Sequence, residues 1–245
     1  MKAPLNETNL IIFATGGKLP DEGGSGMNTL LNHIDAGDIP VSRVSVVGNY
    51  AGGGVETKAR KHSVHFEHFP KALRTAEGHE ALVDRLGGEH HFVMLSGCLW
   101  LVPMKKTPDD PEPGLDPRYV VNIHPGPLSI KGDDGHPRYG GEGMYGHFVH
   151  ERVMEDYRAG RIKASAVTMH FVTKDYDKGP IIFEWPVPIM PWDTPETLGK
   201  AVNVMEHRFQ PYVTKLVLER QIRWDGVDSR SLRVPSGYDF LPTTM

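Results

Sequence analysis

Short apolar runs alternate with amphipathic stretches along the first half of the chain. Asn9–Thr15, Arg43–Gly48, His91–Ser96 and Tyr119–His124 are brief, apolar and partly β-branched or aromatic, and most are bounded by glycine or proline. That pattern predicts buried strands. Between them, Asn28–Asp35, Val55–His62 and Ala76–Leu86 carry helical spacing. Strand–helix–strand alternation predicts an α/β fold, a parallel sheet with helices on its faces.

The pattern changes after His124. Residues 125–143 form a long loop rich in glycine and proline, and a helix over Tyr145–Ala159 follows, stopped by Gly160. Ala164–Thr173 and Pro180–Ile189 predict two long strands joined around Asp175–Gly179 as a hairpin. A last helix is predicted over Pro195–Arg220, with Thr194 as N-cap and Pro195 at the first helical position. Leu198, Val202, Met205, Phe209, Tyr212 and Leu216 step by 4, 3, 4, 3 and 4, one buried stripe. Pro211 inside that span predicts a kink or a split. Asn203, Glu206 and Gln210 lie on the neighbouring face; a solvated flank is their plainer reading, and lining a cleft is the other. The tail from Asp225 shows little periodicity and predicts extended or frayed chain.

Composition narrows the class. The 245 residues are 39% hydrophobic and 24% charged, a globular balance. A net charge of −4, from 27 basic and 31 acidic side chains, lacks the basic face of a general nucleic-acid binder. Cys98 is the single cysteine, so no intrachain disulfide forms, which fits a reducing compartment. The apolar run Leu10–Ala14 is too short for a signal peptide, and Phe92–Met104 falls short of the ~20 residues that span a bilayer. The expectation is a cytoplasmic protein. Thirteen histidines include His62, His65 and His68, the pair His90 and His91, and His147 with His150, but no HExxH pattern or cysteine partner accompanies them. They are read as surface or strand histidines, with no metal.

Three features carry chemistry. Gly23-Gly24-Ser25-Gly26-Met27-Asn28 follows an apolar strand and opens a helix, where backbone N–H groups can approach an anion; a flexible turn explains the glycines equally well. It lacks the Gly-Lys-Ser/Thr of a Walker A loop and the third glycine of GxGxxG. In Asn122-Ile123-His124-Pro125, period-two alternation puts Asn122 and His124 on one side of a strand end. An amide donor beside an imidazole suits acyl transfer; a hydrogen-bonded histidine is the plain alternative. Asp177 sits on a turn, either tuning a nearby histidine or acting as an ordinary turn residue.

Together these residues show a resemblance. Asn122-Ile123-His124-Pro125 resembles the NIHPSLLP motif of the folate-dependent formyltransferase family. His170-Phe171-Val172 and Asp177-Lys178-Gly179-Pro180-Ile181-Ile182 resemble its HFV and D-x-GP-I-I segments. Ser96–Leu101 is similar to its AGFMRIL segment, and Asp193–Leu198 with Glu206-His207-Arg208 to its DTPETL and EHR helix. Gly24–Asn28, Val47–Ala51 and Val55–Ala59 resemble the N-terminal segments of the branch that acts on a phosphorylated ribonucleotide amine.

The resemblance implies one formyltransferase domain over residues 1–245, with a mostly parallel twisted sheet and a Rossmann-like N-terminal half. Residues 1–118 would form a phosphate-binding half, 119–222 a catalytic and folate-binding half, and 223–245 a tail. It implies His124 and Asp177 as an acid–base pair, with Asn122 and protonated His124 meeting the oxyanion and His170 supporting Asp177. Gly24, Ser25, Gly26, Met27 and Asn28 would take the phosphate, and Asn203 and Glu206 the ribose end. Leu99, Trp100, Leu101, Val102, Thr173, Lys174 and Tyr176 would hold the folate. The formyl donor would be 10-formyltetrahydrofolate, with no metal, nucleic-acid or membrane partner, in a monomer or homodimer. Other implied readings are a nucleotide-linked amino sugar as acceptor, and a non-catalytic folate or nucleotide binder. The chain departs from the family at Met27, where serine is usual, at Trp100, where arginine is common, at Gly126-Pro127, and in longer segments at 105–117 and 129–143.

Overall fold

The computed structural model describes residues 8–242; residues 1–7 and the last three of the tail lie outside it. Seven strands form one sheet in the order β3-β2-β1-β4-β5-β6-β7. They are β1 (Asn9–Ala14), β2 (Arg43–Gly48), β3 (His65–His68), β4 (His91–Leu95), β5 (Val120–His124), β6 (Ala164–Phe171) and β7 (Ile181–Pro188). The first five run parallel, and β6 and β7 pair antiparallel at the end. The helices are α1 (Ser25–Asp35), α2 (Gly54–Lys61), α3 (Ala76–Gly87), α4 (His147–Arg158) and α5 (Pro195–Leu218).

Alternation along β1 shows why the sheet needs helices on both faces. Leu10, Ile12 and Ala14 enter a core with Leu30 and Leu31 of α1 and Leu198 and Val202 of α5. Ile11 and Phe13 enter the opposite core with Leu82, Val83 and Leu86 of α3. A strand buried on both faces has no polar side to offer, hence its unbroken apolar run. The sequence missed β3, because three of the four residues in His65-Phe66-Glu67-His68 are polar; it is a half-exposed edge strand paired parallel to β2.

Pro211 does not split the last helix. α5 runs 24 residues through it. A proline mid-helix costs ~3 kcal/mol. Leu198 and Val202 before it and Val213, Leu216 and Val217 after it are all buried in one core, at ~1.5–3 kcal/mol per aliphatic side chain, which outweighs that cost. The N-terminus of α5 is closed as expected: the Thr194 hydroxyl accepts from the Thr197 N–H at 3.3 Å, and the Thr197 hydroxyl from the Thr194 N–H at 2.9 Å. The described part of the tail makes a 3-10 turn at Ser229–Ser231 and then packs along β7. The Glu184 N–H donates to the Phe240 carbonyl at 2.8 Å, and Phe240 packs on Phe183 and Trp185.

The β6–β7 hairpin delivers Asp177 to the site and turns at a glycine. A methyl at Gly179 would lie 1.8 Å from the Phe171 carbonyl oxygen. Gly179→Ala is therefore expected to lower stability by about 1–3 kcal/mol, read as a lower urea midpoint. An unchanged midpoint would mean that the hairpin shifts freely.

No helix among the described residues is long and apolar enough to cross a membrane.

Candidate active site

Strand order reverses between β1 and β4, and a cleft of about 600 Å³ opens at the carboxyl ends of β1, β4 and β5. Crossovers leave β1 in opposite directions there, so no loop covers the strand ends. Asn122, His124, His170 and Asp177 line the middle of the cleft.

His124 is 4% exposed. Its Nε2–H donates to the Tyr139 carbonyl at 2.6 Å, and its Nδ1 lies 3.7 Å from Asp177 Oδ2. Burial lowers the His124 pKa more than Asp177 and the Tyr139 carbonyl raise it. That balance favours the neutral ring, and with Nε2–H donating to the Tyr139 carbonyl the lone pair lies on Nδ1.

Asp177 is held at φ 53°, a left-handed conformation that aspartate tolerates better than most residues. Burial opposes its charge. A hydrogen bond from His170, the nearby rings of His124 and His170, and the Gly141 N–H outweigh burial and hold the carboxyl well below its usual range. His170 Nε2 lies 3.4 Å from Asp177 Oδ1, and the Gly141 N–H donates to Oδ2 at 2.8 Å. His170 Nδ1–H donates to the Phe171 carbonyl at 2.8 Å, and Asn122 Nδ2 lies 3.2 Å from Nε2. At most one amide proton of Asn122 faces His170, and the other is left for the cleft.

At one end lies the N-terminus of α1. Gly23 and Gly24 take φ 75° and 71°, which the turn requires of glycine. Gly24 makes no side-chain cap, and the first intrahelical bond is Asn28 N–H to Gly24 C=O at 2.9 Å. The preceding N–H groups are therefore free for an anion. Gly24, Ser25 and Gly26 line the cleft. Met27 and Asn28 do not line it with their side chains. The Met27 side chain is fully buried, leaving only its N–H for a ligand, and Asn28 Oδ1 faces His62 Nε2 at 3.2 Å. A methyl at Gly26 would lie 2.6 Å from Ser96 Oγ and 3.1 Å from Gln210 Oε1, so glycine lets α1 approach both.

Asn203, Glu206 and Gln210 line the cleft rather than a solvated flank. Burial raises the Glu206 carboxyl to about 7, against a hydrogen bond from Asn203 Nδ2 at 3.0 Å that lowers it. From about pH 4.5 to 7 the folded state keeps a proton that the unfolded chain has released. Glu206 therefore costs no stability below that window and an increasing amount as pH rises through it. Glu206→Gln is expected to flatten this part of the curve of urea midpoint against pH. Identical curves would show Glu206 ionised throughout.

At the other end, Leu99 and Leu101, each 53% exposed, form an apolar lip with Val102, Thr173, Lys174 and Tyr176. Trp100 lines the cleft too, but its ring packs on Phe13 and beneath the Arg74 guanidinium, 4.2 Å from the ring centre. Burial pushes the Cys98 thiol up to about 12, which makes it a poor nucleophile.

Sequence reasoning missed Tyr139, Gly141 and His150. The first two act through main-chain atoms, which leave no residue signature. His150 is neither a surface nor a strand histidine: it sits on α4 at the cleft wall, 8% exposed, packed against Gly199, and burial lowers it to about 4. No group of three metal-ligating side chains is gathered among the described residues.

A doubly wound sheet with an amide, a buried imidazole and a buried carboxylate at its switch point defines an acyl-transferring site on an α/β scaffold. A sequence model of the formyl transferase family matches residues 19–214, and the chain belongs to that family. It is similar to the chloroplastic phosphoribosylglycinamide formyltransferases of Arabidopsis thaliana, at 32% identity over 224 residues, and of Vigna unguiculata, at 31% over 223. These matches cover 89% of this chain, and 68% and 64% of the two plant proteins. The crystal structure of phosphoribosylglycinamide formyltransferase from Brucella melitensis superposes with a TM-score of 0.61 at 27% identity, over 87% of this chain and 95% of that one.

Proposed function

We propose that the protein transfers a formyl group from 10-formyltetrahydrofolate to the primary amine of glycinamide ribonucleotide, a step of purine synthesis. The observation that carries this reading is the placement of Asn122, His124 and Asp177 between an open helix N-terminus and an apolar lip in one cleft. The lip suits a planar heterocycle, and the free N–H groups of α1 suit a phosphate. The names of the plant and Brucella relatives point the same way. Residues 1–118 supply the phosphate end, 119–222 the catalytic groups and the folate end, and the tail from 223 closes the sheet edge. A cytoplasmic setting goes with the single cysteine.

In this reading the substrate amine attacks the formyl carbon, a C–N bond forms, and negative charge develops on the formyl oxygen. The free amide proton of Asn122 meets that charge. Neutral His124 takes a proton from the amine through Nδ1, and Asp177 stabilises the imidazolium as it forms. The proton then passes to the folate nitrogen as its bond to the formyl carbon breaks. No covalent enzyme intermediate is needed.

The acceptor is tested by competition. Purified protein with 10-formyltetrahydrofolate is offered glycinamide ribonucleotide and a nucleotide-linked amino sugar together, and the formylated products are separated. Formylated glycinamide ribonucleotide as the main product supports the reading, and formylated amino sugar overturns it.

A further inference from the structure

Residues 139–141 touch both members of the buried pair, and they do so with main-chain atoms alone. The Tyr139 carbonyl accepts from His124 Nε2–H at 2.6 Å, and the Gly141 N–H donates to Asp177 Oδ2 at 2.8 Å. The chain beyond is soft: Gly140, Gly141 and Gly143 follow within five residues, with φ 97° at Gly141. The start of the loop is tied to the sheet where the Ser129 N–H meets Glu184 Oε2 at 3.0 Å. Its far end is tied to a different element.

That tie is Asp156 on α4, fully buried. Its carboxylate receives the Tyr139 hydroxyl at 2.8 Å and Arg138 Nε and Nη2 at 2.5 and 3.1 Å. Arg161 Nε and Nη2 add bonds at 2.8 and 2.6 Å from the chain after the helix. A buried carboxylate is tolerable only when its lone pairs are filled this way, and here the partly exposed Arg138 and Arg161 supply the counter-charge. Asp156 touches neither the cleft nor the catalytic pair.

We infer that Asp156 is a positioning residue: through Arg138 and Tyr139 it fixes the 139–141 main chain, and that main chain selects which nitrogen of His124 carries the proton. The selection matters because Asp177, 3.7 Å from Nδ1, by itself favours a proton there. Only the Tyr139 carbonyl holds the proton on Nε2 and leaves Nδ1 free to act as base. The consequence for rate rests on the proposed formyl transfer; the effect on His124 itself does not.

The test uses ¹⁵N-histidine-labelled full-length protein, with His124 assigned by loss of its signal in His124→Gln. Wild-type His124 is expected in the Nε2–H form, titrating below an ordinary histidine. In Asp156→Asn and Tyr139→Phe the population shifts toward Nδ1–H and the titration moves up, because the loosened loop admits water. The groups facing His124 are Asp177 and His170 on the hairpin, Glu184 on β7 and His150 on α4. Neither variant alters any of them, so a changed signal reports the main chain. In turnover, kcat is expected to fall about a hundredfold in Asp156→Asn and about tenfold in Tyr139→Phe, with KM for both substrates unchanged. Tyr139→Phe removes one hydroxyl and keeps the ion pairs, so it decides the matter should Asp156→Asn unfold. Folded variants with wild-type His124 signals overturn the inference, whatever their rates. A wild-type protein that transfers no formyl group overturns the proposed function, while the His124 signals still decide this inference.

Discussion

His124→Asn is expected to lower turnover by about 10²–10⁴-fold while both substrates still bind. The side chain is 4% exposed at the carboxyl end of β5, with Nδ1 3.7 Å from Asp177 Oδ2. Asparagine keeps a polar group near the Tyr139 carbonyl but has no lone pair basic enough to take a proton from an amine. In the proposed function the substrates are held at the two ends of the cleft, by the N–H groups of α1 and the lip around Leu99 and Leu101, and the substitution touches neither. The check is kcat from initial rates together with binding of each ligand by calorimetry. A variant within tenfold of wild type would remove His124 from the mechanism.

Asp177→Asn is expected to cost about 10²–10³-fold in kcat, the loss typical of removing one preorganised electrostatic group. The substitution is clean, because asparagine tolerates the φ of 53° held by Asp177 and keeps an oxygen for the Gly141 N–H. What disappears is the charge that stabilises the His124 imidazolium. Asp177 raises the His124 pKa against burial, so its removal lowers that pKa further. In wild type, kcat/KM should decline with acid as His124 takes up its proton. In Asp177→Asn that acid limb should lie at lower pH, on a lower plateau. A limb unmoved by the substitution would show that Asp177 and His124 are not coupled.

How far the sequence reached can be judged residue by residue. Strands β1, β2, β4 and β5 were legible because a strand buried on both faces must be apolar throughout. The convergence of Asn122 and His124 followed from period two, and the far-off Asp177 only from the family resemblance, since no spacing rule links a strand end to a hairpin turn 53 residues on. Met27 shows the limit of carrying a motif across: it stands in the phosphate-loop position, yet its unbranched side chain belongs to the core beneath α1. Pro211 shows local propensity yielding to packing on both sides of it. The contacts that tune the site most closely, Tyr139 C=O on His124 and Gly141 N–H on Asp177, were invisible because any residue supplies a carbonyl or an N–H. The glycines and prolines of residues 125–143 predicted a long loop but not what its main chain touches.

The most direct measurement is the loss of formyl donor with and without acceptor. Purified protein is mixed with 10-formyltetrahydrofolate, and donor consumption is followed in the presence and absence of glycinamide ribonucleotide. Consumption that requires the acceptor, with one formylated ribonucleotide made per donor spent, is the predicted result. Consumption at the same rate without acceptor would mark a hydrolase, and no consumption with either mixture would contradict formyl transfer at this site.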